Sequence, residues 1–298
     1  MQSHSLYIHI PFCKRRCAYC DFNTYAGMEK WIPAYVDALC REMELVAAGE
    51  SGPIPVGTLF FGGGTPSLLP LAQLERILST AARLFSFAPD LEFSLEANPG
   101  TVDLDYLRGL KSLGLNRLSL GMQSAHPQEL KMLTRLHDFP DVIRAVSWAR
   151  RAGIDNLSLD LIFGLPGQSL ERWSETLDLA LGLGSEHISL YSLTVEEDTP
   201  LYSWVSRGLV DLPDNDLGAD MFELAMDRLA QEGMVQYEIS NWARRRADGS
   251  LFSCRHNLQY WRGLPYLGLG EGAYGYPAGW RTANIGPILA YIQKIDKG

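Results

Sequence analysis

The chain has 298 residues, of which 46% are hydrophobic and 20% charged, and its net charge is −9 at pH 7. This is the composition of a globular protein with a sizeable core, and no apolar run approaches the ~18 residues that span a bilayer. The acidic balance argues against a general nucleic-acid-binding surface. The first residues lack the basic segment, apolar stretch and cleavage site of a signal peptide, so we expect a soluble, cytoplasmic protein.

Short β-prone runs alternate with longer helical patterns over the first 200 residues. The predicted strands are residues 5–10, 57–61, 91–97, 116–122, 156–163 and 187–195. The predicted helices are residues 31–48, 71–85, 103–113, 127–134, 139–152 and 170–182. Strict alternation predicts parallel strands with helical crossovers, in an α/β fold that is either an open doubly wound sheet or an incomplete barrel.

The regular alternation fades after about residue 200. The pattern predicts a helix over 215–232 and a strand over 234–242, followed by a basic loop and a Gly/Tyr-rich tract, GLPYLGLGEGAYGYPAG (263–279). The chain ends in a helical tract, PILAYIQKIDKG. We therefore predict a main domain of residues 1–200 and a smaller α+β annex of residues 201–298.

Three of the five cysteines, Cys13, Cys17 and Cys20, follow the first predicted strand with the spacing C-x3-C-x2-C. A disulfide framework needs an even number of thiols, and a structural zinc site needs four ligands, for which His9 is the nearby candidate. Iron–sulfur clusters are normally held by four thiolates. Three thiolates on a four-iron cube leave one iron open to chelate a small molecule, and we favour this interpretation over zinc.

The cysteine motif, with Tyr19 before its last cysteine, resembles the radical S-adenosylmethionine (SAM) superfamily. The resemblance implies a partial (β/α)6 barrel and a [4Fe–4S] cluster whose open iron binds the amino and carboxylate groups of SAM. One electron from that cluster then cleaves the sulfonium to a 5′-deoxyadenosyl radical. In the superfamily the loop that corresponds to FFGGGTPS (60–67) meets the methionine part of SAM.

Longer motifs, several of them at predicted strand ends where α/β barrels gather their active sites, resemble one family within this superfamily. They are YIHIPFC, FGGGTPS, LEANPGT, LSLGMQS, LTRLH and DLIFGLPGQ. Together they resemble the oxygen-independent coproporphyrinogen III oxidase family over residues 5–200. Carried over residue by residue, the resemblance implies these SAM contacts: Tyr7, Tyr19, Gly63, Gly64, Thr65, Glu96, Gln123, Arg135 and Asp160.

Two features distinguish the oxidase from its relatives. The oxidase has a fourth cysteine two residues after the triplet, whereas Cys20 is followed here by Asp21 and Phe22. C-D-F is seen instead in the HemW-type heme chaperones, which are thought to bind heme and pass it to acceptor hemoproteins. The segment CRHNLQYWRG (254–263) contains H-N-x-x-Y-W, which that group associates with heme binding. It implies these candidate heme contacts: His256, Asn257, Tyr260 and Trp261.

The side chains of this segment suit heme chemically. His256 can supply a neutral imidazole to iron, and the aromatic residues offer flat apolar faces to a porphyrin. Three further side chains could contribute, two arginines as partners of propionates and one thiolate as a competing iron ligand: Arg255, Arg262 and Cys254. The alternative is a capped loop whose polar groups hydrogen-bond the backbone and whose aromatics pack the annex onto the barrel.

We therefore expect a HemW-type heme chaperone with a [4Fe–4S] cluster, SAM and heme as cofactors and acceptor hemoproteins as partners. The alternatives are an anaerobic coproporphyrinogen III oxidase or another radical SAM enzyme acting on tetrapyrroles, and a structural iron–sulfur or zinc protein. The absent fourth cysteine weighs against oxidase activity. The sequence is compatible with a membrane-associated acceptor and with a homodimer, and with SAM that is either cleaved or only bound. Members of the family usually continue into a further C-terminal domain.

Overall fold

The computed structural model describes residues 3–49, 51–211 and 214–297. The strands are β1 (His4–Ile10), β2 (Phe12–Cys13), β3 (Tyr25–Ala26), β4 (Ile54–Gly63), β5 (Phe85–Ala97), β6 (Arg117–Gln123), β7 (Leu157–Phe163), β8 (His187–Ser192), β9 (Val235–Glu238), β10 (Asn241–Ala243), β11 (Tyr266–Leu269), β12 (Tyr274–Gly275) and β13 (Thr282–Ala283). The helices are α1 (Ile32–Ala48), α2 (Leu71–Leu84), α3 (Leu104–Ser112), α4 (Pro127–Met132), α5 (Phe139–Arg151), α6 (Leu170–Gly182), α7 (Pro200–Ser206), α8 (Asn215–Gln231), α9 (Arg255–Trp261) and α10 (Ile288–Asp296). Within these described ranges, no helix combines the length and the apolar character needed to cross a lipid bilayer.

Six parallel strands form the centre of one sheet, in the order β1-β4-β5-β6-β7-β8. Helices α1, α2, α3, α5 and α6 lie between consecutive members of this series along the chain. Each strand therefore pairs with the next strand of the series, without the reversal of order that defines a doubly wound sheet. This arrangement confirms the predicted α/β fold with six strand–helix units.

The C-terminal part of the chain extends both edges of the same sheet. β11 pairs in parallel with β1, while β10 pairs antiparallel with β8 and carries β9 on its other side. The single strand predicted over 234–242 is wrong, because the chain turns between β9 and β10. The Glu238 carboxylate accepts the backbone N–H of Ser240 (3.1 Å) and holds this turn. β11 lies in the Gly/Tyr-rich tract, where no strand was predicted.

The central strands have an apolar outer face and a largely polar inner face. On β6, Leu118 and Leu120 belong to the main hydrophobic core, while Arg117 and Ser119 line an internal cavity. Because side chains alternate along a strand, this pattern assigns one face to the helices and the other to the interior. Other polar residues around the same cavity come from four strands: Tyr7, Glu96, Asp160, His187 and Ser189.

The sheet curls around this interior. Tyr7 of β1 and Ser189 of β8 line one cavity although their strands stand at opposite ends of the six-strand series. Helix α9 lies across the amino-terminal end of the barrel, where the Gln259 side chain donates to the carbonyl of Ser3 (3.1 Å), just before β1. The interior thus has a carboxyl end, formed by the loops after the strands, and an amino end covered by α9.

Candidate functional site

A cavity of about 460 Å³ lies at the carboxyl end of the barrel, and all three clustered cysteines line it. Eight of the nine predicted SAM contacts line the same cavity: Tyr19, Gly63, Gly64, Thr65, Glu96, Gln123, Arg135 and Asp160. The ninth, Tyr7, lies deeper in the barrel, where its hydroxyl is hydrogen-bonded to Nδ1 of His9 at 3.0 Å. We call the cavity of about 460 Å³ that the cysteines line the cluster cavity.

Each of the three thiols has a polar neighbour that suits a thiolate. The Thr65 hydroxyl donates to Sγ of Cys13 at 3.7 Å, and the Arg135 guanidinium donates to Sγ of Cys17 at 3.5 Å. Sγ of Cys20 lies 3.9 Å from the hydroxyl of Thr24. Because hydrogen bonds to the sulfurs tune iron–sulfur clusters, three thiols that share a cavity and have donors fit a cluster well.

His9 is not a free ligand for zinc. Its Nε2 lies 2.8 Å from the carbonyl of Asn23, and its Nδ1 is hydrogen-bonded to Tyr7. Both ring nitrogens are therefore engaged within the protein. In the described part of the chain, no three Cys, His, Asp or Glu side chains form a group that could hold a single metal ion.

The glycine loop after β4 packs directly on the backbone of the cysteine loop. The N–H of Gly64 donates to the carbonyl of Ile10, and the N–H of Thr65 donates to the carbonyl of Phe12, both at 2.8 Å. A Cβ on Gly64 would stand 2.7 Å from the Phe12 carbonyl oxygen, so this position requires glycine. Gly64 thus allows the close approach of the protein's own backbone.

Two carboxyl groups, Glu96 and Asp160, line the cluster cavity on its barrel side. Burial, together with the charge of Asp160, raises the pKa of Glu96 to about 8. Glu96 accepts the N–H of Gly63 (3.2 Å), while Asp160 accepts the Ser119 hydroxyl on both oxygens, at 3.0 and 2.8 Å. A cationic ligand beside these groups would favour their ionised forms.

Asn98 joins two of the predicted contacts and was missed from the sequence. Its side-chain nitrogen donates to the Thr65 hydroxyl at 2.9 Å, and its oxygen accepts from the Arg135 guanidinium. Arg135 also donates to the carbonyl of Gly121 at 2.8 Å. Asn98 lies two residues after Glu96 in L-E-A-N-P-G, so its place beyond the end of β5 was the available signal. Tyr191, at the end of β8, lines the cluster cavity and was also missed.

The sequence model of the radical SAM superfamily matches residues 7–180, which is more than half of the chain. The chain belongs to the radical SAM superfamily. This membership implies a [4Fe–4S] cluster and SAM as cofactors, as the cysteine motif predicted. The three cysteines of the cluster cavity are the residues that would hold the cluster.

Within this superfamily, the chain is similar to proteins named heme chaperone HemW. It is 41% identical to that of Bacillus subtilis over 99% of this chain and 76% of the relative. It is 43% identical to that of Synechocystis over 97% and 70% of the two chains. The solved structure of coproporphyrinogen III oxidase (HemN) from Escherichia coli, a radical SAM enzyme, aligns with a TM-score of 0.85 at 26% identity, over 99% of this chain and 70% of that one. The predicted resemblance and radical SAM fold are confirmed.

The H-N-x-x-Y-W segment of this radical SAM chain forms α9, at the end of the barrel opposite the cysteines. The Glu92 carboxylate accepts the backbone N–H groups of Arg255 and His256, each at 3.0 Å, and so caps the positive end of the helix. The Cys254 thiol is buried beside the same carboxylate. Burial raises the pKa of Cys254 to about 12, which disfavours the thiolate that would compete for iron.

His256 faces the interior and is only 2% exposed. Its Nδ1 lies 2.8 Å from the Thr58 hydroxyl, its Nε2 lies 2.8 Å from the Tyr260 hydroxyl, and its ring stacks on Phe60 with centroids 5.0 Å apart. Burial, helped by the positive charge of Arg117, lowers the pKa of His256 to about 3. The imidazole is therefore neutral, as iron ligation requires, but both of its nitrogens are engaged in this arrangement.

The other candidate heme contacts divide between the interior and the surface. Asn257 lines a second cavity, of about 240 Å³, inside the barrel. Tyr260 is 40% exposed and Trp261 is 55% exposed, so both present aromatic surface to solvent. Arg255, a candidate partner of a propionate, is paired with Asp90 at 2.6 Å. The structure therefore brings eight of the predicted SAM contacts together around the cysteines. The two predicted sets meet in the second cavity, which is lined by Tyr7, Glu96 and Asp160 and also by His256, Asn257 and Tyr260.

Proposed function

We propose that the protein is a heme chaperone of the HemW type. It would hold a [4Fe–4S] cluster and SAM in the cluster cavity, bind heme, and deliver it to acceptor hemoproteins. The observation that carries this proposal is the 41% identity to a heme chaperone over 99% of the chain. The clustered thiols suggest work in the reducing cytoplasm.

In this proposal the chain positions both cofactors at the carboxyl end of the barrel. Cys13, Cys17 and Cys20 would hold the cluster, which when bound supplies one-electron reduction. Glu96 and Asp160, which line the cavity, would accept from polar groups of SAM such as its ammonium.

The oxidase alternative is favoured by the TM-score of 0.85 with HemN. The residue at position 22 argues against oxidase activity. Phe22 occupies the place at which the oxidase family has its fourth cysteine, and its ring is 63% exposed at the edge of the cluster cavity. A phenyl group can neither ligate iron nor transfer a proton, so any function of that cysteine in the oxidase is lost here.

Heme is proposed to lie against the exposed aromatic surface of α9. Tyr260 and Trp261 offer that surface, and the exposed Arg262 next to them is available to a propionate. Ligation of the heme iron by His256 would require Tyr260 to release Nε2, because the two are hydrogen-bonded in this structure. The outer face of α9 thus supports heme contact more directly than its inner face does.

One pair of assays separates the two functions. The anaerobically reconstituted protein is titrated with hemin, and heme transfer to an apo-hemoprotein is followed by the absorption spectrum of the acceptor. The same preparation is incubated with dithionite, SAM and coproporphyrinogen III and examined by mass spectrometry. We expect saturable hemin binding, transfer to the acceptor and no decarboxylated porphyrinogen. Repeated turnover to a decarboxylated product would favour the oxidase, and absence of hemin binding would exclude the chaperone.

A further inference from the structure

Arg117 is a buried positive charge that makes no side-chain hydrogen bond or ion pair in the described part of the chain. It begins β6 on the inner face of the barrel and is 2% exposed. Its Nε is buried without a hydrogen bond, and in the described part of the chain its guanidinium makes no ion pair within 4.0 Å. By contrast, the guanidinium of Arg135, which lines the cluster cavity, donates to Asn98 and to the carbonyl of Gly121.

The carboxylates near Arg117 are engaged by other donors. Glu92 accepts from the first N–H groups of α9, and Asp160 accepts from the hydroxyls of Ser119 and Ser158. A buried charge is costly unless it is paired and hydrogen-bonded, and a guanidinium has five N–H donors to satisfy. The structure therefore leaves a strong, planar cationic group facing a space that the chain itself does not fill.

That space is the second cavity, of about 240 Å³, between the cluster cavity and α9. It shares Glu96, Asp160 and Tyr191 with the cluster cavity, so the two spaces adjoin. Its volume is below the usual range of pockets for drug-sized ligands, which suits a small molecule or one arm of a larger molecule. A group bound beside Arg117 would thus lie within the barrel, next to the proposed site of SAM.

We propose that this cavity is a binding subsite for a carboxylate, with the Arg117 guanidinium as its anchor. Guanidinium and carboxylate groups match each other in two parallel N–H···O bonds. A singly charged anion suits the site better than a doubly charged phosphate, because the carboxyl group of Asp160 lines the same cavity and would repel a dianion more strongly. The carboxylate belongs either to a free organic acid or to a propionate side chain of a tetrapyrrole.

Propionate is the probe for the first test. The reconstituted holo-protein is titrated with sodium propionate at constant ionic strength, balanced with sodium chloride, and binding is followed by thermal unfolding and by calorimetry. We expect a saturable rise in Tm for the wild-type protein. Arg117→Met should weaken propionate binding at least tenfold, and Arg117→Lys should give an intermediate loss, since it keeps the charge but not the planar fork.

The control variant is Arg108→Met, which removes an arginine from the outer surface of α3 and should leave the propionate response unchanged. Without ligand, the Tm of Arg117→Met should equal or exceed that of the wild type, because the substitution removes a buried charge that makes no ion pair among the described residues. Should Arg117→Met fail to fold, Arg117→Lys still carries the binding test. The proposal is overturned if propionate gives no saturable response, if Arg117→Met responds like the wild type, or if chloride or sulfate stabilises the protein equally.

A second comparison identifies the source of the carboxylate and rests on the proposed heme function. Hemin and hemin dimethyl ester are titrated into the wild type and Arg117→Met. If the carboxylate is a heme propionate, the variant loses at least tenfold in affinity for hemin and none for the diester. If it is a free acid, the variant binds both as the wild type does. Absence of hemin binding in the wild type would contradict the heme function and leave the propionate result standing.

Discussion

The carboxyl and amino ends of the barrel interior are built from the same polar strand faces but differ in what covers them. At the carboxyl end, loops after β1 and β4 bring three cysteines and a glycine turn around an open cavity. At the amino end, α9 covers the interior, and its groups hydrogen-bond the strands: His256 to Thr58, and the first N–H groups of the helix to Glu92.

This difference separates groups available to a ligand from groups that hold the fold. Each of the three cysteine sulfurs has one polar neighbour and faces the cavity, so it can still bind a ligand. His256 has a chemically suitable imidazole, yet both nitrogens are satisfied inside the protein. A residue type that suits a ligand is therefore weak support for a site until its hydrogen bonds have been counted.

The largest effect should come from the carboxyl end, with Cys17→Ser. We expect almost complete loss of chelated iron and of the visible absorption of the cluster, because a serine hydroxyl does not replace a thiolate ligand. The far-ultraviolet circular dichroism should stay that of the wild type, since Cys17 is outside the hydrophobic core. Cys40→Ala, in the buried face of α1, is the control and should keep its iron. A full iron complement in Cys17→Ser would exclude this cysteine as a ligand.

Gly64→Ala tests the packing of the glycine turn on the cysteine loop. The added methyl group would press on the Phe12 and Ile10 carbonyls, at 2.7 and 2.9 Å, so we expect a loss of about 1–3 kcal/mol in the free energy of unfolding. Displacement of the cysteine loop should also make iron easier to extract by a chelator. Denaturant unfolding and chelation rates measure both effects.

The control is Gly218→Ala in α8, where a Cβ meets nothing within 4 Å. That change should stabilise the protein by up to about 1 kcal/mol, since alanine is the better helix former. If Gly64→Ala behaved like this control, the close contact between the two loops would not exist in solution.

The carboxyl end could be predicted from the sequence because its signals are local. The cysteines, the glycine turn and the strand-end motifs each lie within a few residues, and parallel strands bring their carboxyl ends together without further information. Asn98 was missed because its function depends on Thr65 and Arg135, which are distant in sequence.

The edge strand β11 and the position of α9 could not be predicted, because they depend on pairing between distant segments. β11 lies in a glycine-rich tract with weak strand propensity and is stabilised by pairing with β1. Gly268 in that strand is required because a Cβ would collide with the carbonyl oxygen of Tyr274, a contact that the sequence does not reveal. The inward direction of His256 likewise follows from the position of α9 across the barrel, which no local pattern specifies.

His256→Ala and Tyr260→Phe test whether the amino end binds heme or only holds the fold. If His256 ligates iron, His256→Ala should weaken hemin binding at least tenfold, whereas Tyr260→Phe should strengthen it because Nε2 loses its competing partner. If the helix only packs, both variants lose stability and keep their hemin affinity. His187→Ala is the control, because His187 is also buried and bonded through both ring nitrogens, to Ser158 and Tyr237. Hemin titration and thermal unfolding of each variant measure the two properties.

The smallest effect concerns the protonation of Glu96 at the carboxyl end. Burial and the neighbouring Asp160 raise the pKa of Glu96 to about 8, so at pH 7 it is mostly protonated without a ligand. If it contacts the SAM ammonium, binding favours the ionised form and releases a proton. SAM affinity should then rise with pH, by at most tenfold per pH unit, and level off above about pH 8.

Calorimetry in buffers of different ionisation enthalpy should detect this proton near pH 7. Glu96→Gln should abolish the proton release and flatten the pH dependence of SAM affinity. Glu42→Gln removes a buried carboxyl group that is bonded to Tyr291 and does not line this cavity, so it should leave both properties unchanged. Proton release that persists in Glu96→Gln would place the titrating group elsewhere in the site and remove Glu96 from the SAM contacts.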